Sequence, residues 1–289
     1  MTSDVEPEMK FVAEAVAVHG LDLDGMTIER EQVTTSAGSV SALRYGRAGR
    51  DTPPALAFLH GGGQNSHTWD LTMAALAVPA LALDLPGHGD SDWLPDHDYS
   101  PRRLTAAVGE ALVQLGPDTE VLVGMSLGGM VALTVAPLLP KLRALVLVDV
   151  SPGSTMPPDF SAAHLQREHG SPFDSLVEQM KKVSPQRPWG ALRHAVWHAT
   201  RQSAEGREWR TDPQMRVGSF LDLWSDVLDH ASVVTAVLAT MGSFVSDEDR
   251  ARLREVLEDR VQVVEGAAHS VQNTRPRELA AILRVVLEG

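Results

Sequence analysis

The chain has 289 residues, 43% of them hydrophobic, and a formal net charge of −13. That is enough apolar material for a large core, and so acidic a balance argues against nucleic acid or an anionic membrane as the main partner. With no cysteine, disulfides, thiolate metal sites and a cysteine nucleophile are all excluded.

The first six residues are acidic rather than basic, and the apolar stretch from Phe11 to Val18 is interrupted by Glu14. This fits neither a signal peptide nor a membrane span, so a cytoplasmic protein is expected. Residues 1–25 read as a polar lead-in with room for one short helix. Met26–Thr35 and Val40–Tyr45 alternate like strands and form a hairpin across Ser36-Ala37-Gly38. Ala55–Leu59, Pro79–Asp84, Val121–Gly124 and Ala144–Asp149 are continuous apolar runs, the signature of strands buried on both faces. Helical segments separate them, up to about Leu76, from Pro101 to Leu115, and after Ser126. This alternation predicts a mostly parallel, doubly wound sheet in an α/β fold. From Ser151 to about Asp229 no strand is evident. Helical patches at Asp174–Val183, Trp189–Thr200 and Val217–Asp229 predict an all-helical cap inserted after the strand ending at Asp149. The core then resumes with a strand at Ser232–Thr240, a helix at Ser246–Leu257, a strand at Arg260–Glu265 and a last helix to Leu287. The expected organisation is core 1–150, cap 151–229 and core 230–289.

The organising stretch is Gly124-Met125-Ser126-Leu127-Gly128, a G-x-S-x-G motif between a buried strand and a helix. A sharp strand-to-helix turn strains the backbone at the serine and brings neighbouring backbone close, so small residues are needed on either side. The hydroxyl is left at the tip of the turn. The Leu127 N–H, at the helix start, points where an oxyanion would form.

Four stretches together carry a family resemblance: Leu59-His60-Gly61-Gly62-Gly63, Asp84-Leu85-Pro86-Gly87-His88-Gly89-Asp90-Ser91, Gly124–Gly129 and Gly266-Ala267-Ala268-His269-Ser270. Over about residues 26–287 the chain resembles an α/β-hydrolase of the serine-nucleophile type with a cap. The resemblance implies Ser126 as nucleophile and His269, in the loop after the last strand, as base. It implies Gly62, with Gly63 as the neighbouring possibility, as the second oxyanion donor beside Leu127. The acid after the penultimate strand is missing, because Ser243, Phe244 and Val245 stand there. Some capped relatives carry the acid at the end of the strand after the nucleophile helix, which here is Asp149. Asp247 is the alternative, although a capped helix N-terminus already accounts for Asp247, Glu248 and Asp249.

His60 and His88 are expected to hold their loops by hydrogen bonds. His194 and His198 have i, i+4 spacing that suits a metal, but no third ligand suggests itself, so a helix face is expected and no metal or cofactor. Met125 and the tryptophans Trp189, Trp197, Trp209 and Trp224 are the candidates for substrate contact. The expected activity is hydrolysis of an ester, lactone or thioester of an apolar, small-to-medium substrate. The alternatives are carbon–carbon bond hydrolysis and a ligand-binding or receptor-like protein on the same scaffold. The Ser at position 126 disfavours chemistry that needs an Asp nucleophile.

Overall fold

The computed structural model describes residues 7–48, 52–150, 152–153, 170–185, 187–217 and 222–289. Its chain enters the sheet through an antiparallel hairpin, Met26–Thr35 (β1) and Gly38–Arg47 (β2), with Thr35 facing Gly38 across the turn. The four apolar runs become Leu56–Leu59 (β3), Ala80–Leu83 (β4), Val121–Met125 (β5) and Ala144–Val148 (β6), every residue buried. Two short strands of the insertion, Thr200–Ser203 (β7) and Gly206–Trp209 (β8), pair only with each other. Val234–Met241 (β9) and Val261–Ala268 (β10) complete an eight-stranded sheet in the order β1-β2-β4-β3-β5-β6-β9-β10. From β4 to β10 every neighbouring pair is parallel.

Strand periodicity divides the core. Leu59, Leu83, Leu122 and Leu147 point to one face, and Phe58, Ala82, Val123 and Val148 point to the other. Helices cover both. Val12–Ala17 (α1) and Asp70–Leu76 (α2) lie on the second face. Pro101–Leu115 (α3) and Leu127–Val135 (α4) lie on the first. The insertion carries Phe173–Val183 (α5), Trp189–Ala199 (α6) and Trp224–Asp229 (α7). Asp247–Leu257 (α8) packs on the first face, and Val271–Thr274 (α9) leads to Pro276–Glu288 (α10) on the second.

Two expectations need correction. The insertion is not all helical: β7 and β8 form a hairpin whose turn ends at Gly206, with φ of 136°. Its strands are four residues each and mostly polar, so no apolar alternation announced them. Arg207 is buried and holds the hairpin to α6, with Nε on Thr200 Oγ1 and Nη2 on the carbonyls of Trp197 and Thr200. The helix expected over 217–229 is realised as α7 alone, and residues 218–221 lie outside the described residues. The amino-terminal lead-in also does more than expected, since Val12, Ala15 and Val16 of α1 are fully buried.

The chain moves from β3 outward to β4, then crosses back to β5 on the other side of β3. A crevice opens where the direction of winding reverses, at the carboxyl ends of β3 and β5. The glycine loop and Ser126 emerge on either side of it.

Candidate active site

Ser126 sits between β5 and α4 with φ 51° and ψ −119°, a conformation a non-glycine residue adopts only when its surroundings impose it. They do so by contact. A Cβ on Gly124 would lie 2.4 Å from Gly128 O, and one on Gly128 would lie 2.3 Å from Leu59 O. The Ser126 N–H donates to Val148 O at 3.1 Å, tying the turn to β6. The strain is thus held by backbone packing that only glycine permits.

Asp149 follows β6 and is buried, also in a left-handed conformation (φ 50°). Its Oδ2 lies 2.7 Å from His269 Nδ1. Its Oδ1 accepts from the Ala239 N–H at 3.0 Å and from Ser243 Oγ at 2.7 Å. Ser243 stands where the carboxylate after the penultimate strand is missing, and its hydroxyl donates to Asp149 instead. His269 is delivered by an irregularity in β10, where pairing with β9 shifts register between Val264 and Ala268 around Gly266 (φ 67°). The His269 and Phe244 rings meet edge to face with 4.4 Å between centroids. With Nδ1 on a carboxylate, the proton sits there and Nε2 is left as an acceptor. Asp247 is exposed at the first position of α8, with Ser246 Oγ capping the helix through the Asp249 N–H, and its carboxylate makes no bond to His269.

The glycine loop is held by two neutral histidines. His60 Nε2 accepts from the Leu85 N–H at 3.0 Å, so its Nδ1 carries the proton and donates to Gly61 O at 2.8 Å. His88 repeats the pattern, accepting from the Gly63 N–H at 3.0 Å and donating to Pro86 O at 3.1 Å. Burial pushes both below the ordinary histidine range, and the neighbouring ring takes His88 down to about 3. One of the two oxyanion candidates is therefore already engaged. Among the described residues the N–H groups of Gly62 and Leu127 have no protein acceptor, and a Cβ on Gly62 would lie 3.9 Å from the Leu127 side chain. Gln272 and Asn273, which the sequence does not single out, join Gln64, Thr68 and Ser270 in linking this loop to the segment after His269.

Ser126, His269, Gly62, Gly63 and Leu127 line one cavity of about 270 Å³. Met125 and Trp209 line it too. Trp189, Trp197 and Trp224 do not: Trp189 is on the surface against Lys181, Trp197 packs on Phe11, Phe173 and Arg207, and Trp224 donates to Asp249. Sequence spacing cannot say which face of a cap helix meets the sheet.

On the same wall the structure supplies what His194 and His198 lacked. His67 and Asp70 join them, and one ligand-capable atom from each of the four falls within 4.8 Å of the others. The group is internally bonded. Asp70 Oδ2 lies 2.9 Å from His67 Nδ1 and 2.7 Å from His194 Nε2, and its Oδ1 accepts from Tyr45 at 2.5 Å. His67 Nε2 meets Glu8 at 2.9 Å, and its ring stacks on His198 at 3.5 Å. Burial opposes a charge on His67, but Asp70 and Glu8 raise its pKa. Burial pushes His194 and His198 down, so these rings are neutral.

A family model described as the alpha/beta hydrolase family matches residues 56–282. The esterase Rv0045c of Mycobacterium tuberculosis is 38% identical, aligned over 97% of this chain and 96% of its own. A structure of that esterase, described together with its inhibition by transition metals, superposes with a TM-score of 0.83 at 35% identity, covering 99% of this chain and 100% of that one. Mouse protein phosphatase methylesterase 1 is 33% identical over 43% of this chain and 34% of its own length. The structure of E-2-(acetamidomethylene)succinate hydrolase shares the fold, with a TM-score of 0.75 at 20% identity over 91% of this chain and 100% of that one. The strand order, the strained serine turn and these matches converge: the chain belongs to the alpha/beta hydrolase family and is an enzyme of that family.

Proposed function

We propose that the protein is a serine esterase, with Ser126 as nucleophile, His269 as base and Asp149 as the acid that orients it. The observation that carries this is the 2.7 Å bond between Asp149 Oδ2 and His269 Nδ1, which leaves Nε2 on the cavity that Ser126 also lines. Nε2 takes the Ser126 proton as Oγ attacks the acyl carbon. The oxyanion accepts from the N–H groups of Leu127 and Gly62, which are already oriented and cost no reorganisation. The proton passes to the departing alkoxide, which leaves as an alcohol. Water then attacks the acyl-enzyme, giving up a proton to Nε2, which passes it to the departing Ser126 Oγ as the acyl–oxygen bond breaks and the acid is released. A lactone or thioester presents the same acyl carbon. The segment 151–229 acts as the cap, closing the cavity with Met180, Val196, Trp209 and Met215. A fluorophosphonate should attach covalently to Ser126 of the folded protein, located by peptide mass spectrometry. No attachment to the wild type, or equal attachment to Ser126→Ala, would contradict the reading.

Transition metals enter as inhibitors. Rv0045c is described with transition-metal inhibition, and His67, Asp70, His194 and His198 offer this chain a ligand set that suits zinc. A metal would have to break the Glu8–His67 and Asp70–His194 bonds, so binding should be weak. Zinc should slow hydrolysis reversibly, and a His194→Ala, His198→Ala variant should lose that sensitivity. Undiminished inhibition of the variant would remove the cluster from consideration.

A further inference from the structure

Arg187 lies in the turn between α5 and α6. Its N–H donates to Ser184 O at 3.0 Å, and its carbonyl accepts from Lys181 Nζ at 2.9 Å, so its backbone is held at both ends. The side chain lines the cavity that holds Ser126 and His269. Its Nε is buried with no acceptor, and Nη2 has only a long contact, 3.4 Å, to Asn273 Oδ1. Among the described residues it has no ion pair, and no Asp or Glu lines this cavity. Burial brings its pKa down to about 10, which leaves it cationic at neutral pH. The titratable groups that feel its charge, His19 and His194, are pushed further from protonation and offer no compensation.

Other arginines of the same chain show how unusual this is. Arg30 is shared among Glu8, Asp84 and Asp90, and Arg207 has one hydroxyl and two carbonyls. A guanidinium withdrawn from water without an acceptor is costly, and a planar fork suits a carboxylate. An unpaired arginine in a cavity that no carboxylate among the described residues lines, in a chain of net charge −13, is set up to receive negative charge from outside.

We propose that Arg187 anchors a carboxylate carried by the substrate away from its scissile ester, so that the preferred substrate is a half-acid with an apolar body. The inference rests on the esterase reading and amends its apolar substrate to an amphipathic one. Two series test it: methyl monoesters of dicarboxylic acids of four to eight carbons, and acetate esters of ω-hydroxy acids of the same lengths. Each acid is compared with its ω-amide. In one series, at a matching length, kcat/KM for the acid should exceed that for the amide by roughly tenfold or more, the scale of an unmatched charged hydrogen bond. Arg187→Met should bring the acid-to-amide ratio of kcat/KM to about one, and Arg187→Lys should retain part of the preference. Equal rates for acid and amide in both series, or a preference that survives in Arg187→Met, would overturn the proposal. Calorimetric binding of the same pairs to Ser126→Ala separates the two readings. Tighter binding of the acid that needs Arg187 upholds the subsite even if no ester is hydrolysed, and equal binding refutes it.

Discussion

Two histidine–aspartate junctions flank the same cavity, and their difference is the basis on which the proposed function gives chemistry to one of them. At His269 one ring nitrogen is bound by Asp149 and the other has no protein partner among the described residues. At His67 both nitrogens are engaged, by Asp70 and Glu8, while His194 uses Asp70 from the other side. The first pair joins the carboxyl ends of β6 and β10 and leaves Nε2 without a protein partner among the described residues. The second joins α1's leading segment, the start of α2 and cap helix α6, and engages both nitrogens of His67. A bonded pair stabilises, and the proposed chemistry needs a nitrogen left free to take a proton.

The sharpest way to break this contrast is to delete the reactive groups. Ser126→Ala and His269→Ala should each lower turnover by at least about a thousandfold, and the double variant little further, because the two act as a unit. Multiplicative losses would dissolve that unit. Removing a support should cost less. Ser243→Ala takes one of two donors from Asp149 Oδ1, and kcat should fall by about three- to tenfold with KM nearly unchanged. An unaltered kcat would make Ser243 a bystander.

The smallest effect on turnover is expected at the other junction. His67 and Arg30 hold the Glu8 carboxyl at about 2, against the burial that would raise it. A carboxyl depressed in the folded state stabilises above its ordinary range, and that stabilisation is lost as pH falls through its folded value. The raised His67 behaves oppositely, contributing below its ordinary value and losing the contribution as pH rises through the folded one. Glu8→Gln should therefore destabilise most near neutral pH, by roughly 1–3 kcal/mol, and less towards both pH 3 and strong alkali. Denaturant midpoints across pH, with kcat unchanged at pH 7, check this. A pH-independent deficit would mean that Glu8 is not paired as described.

Much of this molecule was legible in its sequence, for local reasons. The four central strands are unbroken apolar runs, and the serine turn needs glycines within four residues of the serine, so both announce themselves. Asp149 comes from the resemblance, because some capped relatives carry the acid at that strand end, and its 2.7 Å contact with His269 is what the geometry adds. The Gly62 and Gly63 alternative was separable only by geometry, because the His88 that occupies Gly63 lies 25 residues away. The His67 network spans 59 residues to Glu8, and Asp70 spans 124 to His194. No local pattern encodes such meetings. The β7–β8 hairpin escaped because its strands are short and polar. Arg187 escaped because an arginine between prolines reads as surface until its surroundings are known.

The two aspartates allow the central claim to be tested in one experiment. Asp149→Asn and Asp70→Asn make the same change in two buried carboxylates that each hold a histidine Nδ1. Turnover per folded molecule and melting temperature are measured for both, with exposed Asp247→Asn as the control. Asp149→Asn should lose turnover by about a hundredfold or more, by analogy with the larger loss from the same swap in a serine protease triad. Asp70→Asn should show the larger fall in melting temperature, with turnover within a fewfold of wild type, and Asp247→Asn should change neither by much. If Asp149→Asn retains wild-type turnover while Asp70→Asn abolishes it in folded protein, the assignment of chemistry and stability to these two junctions is wrong.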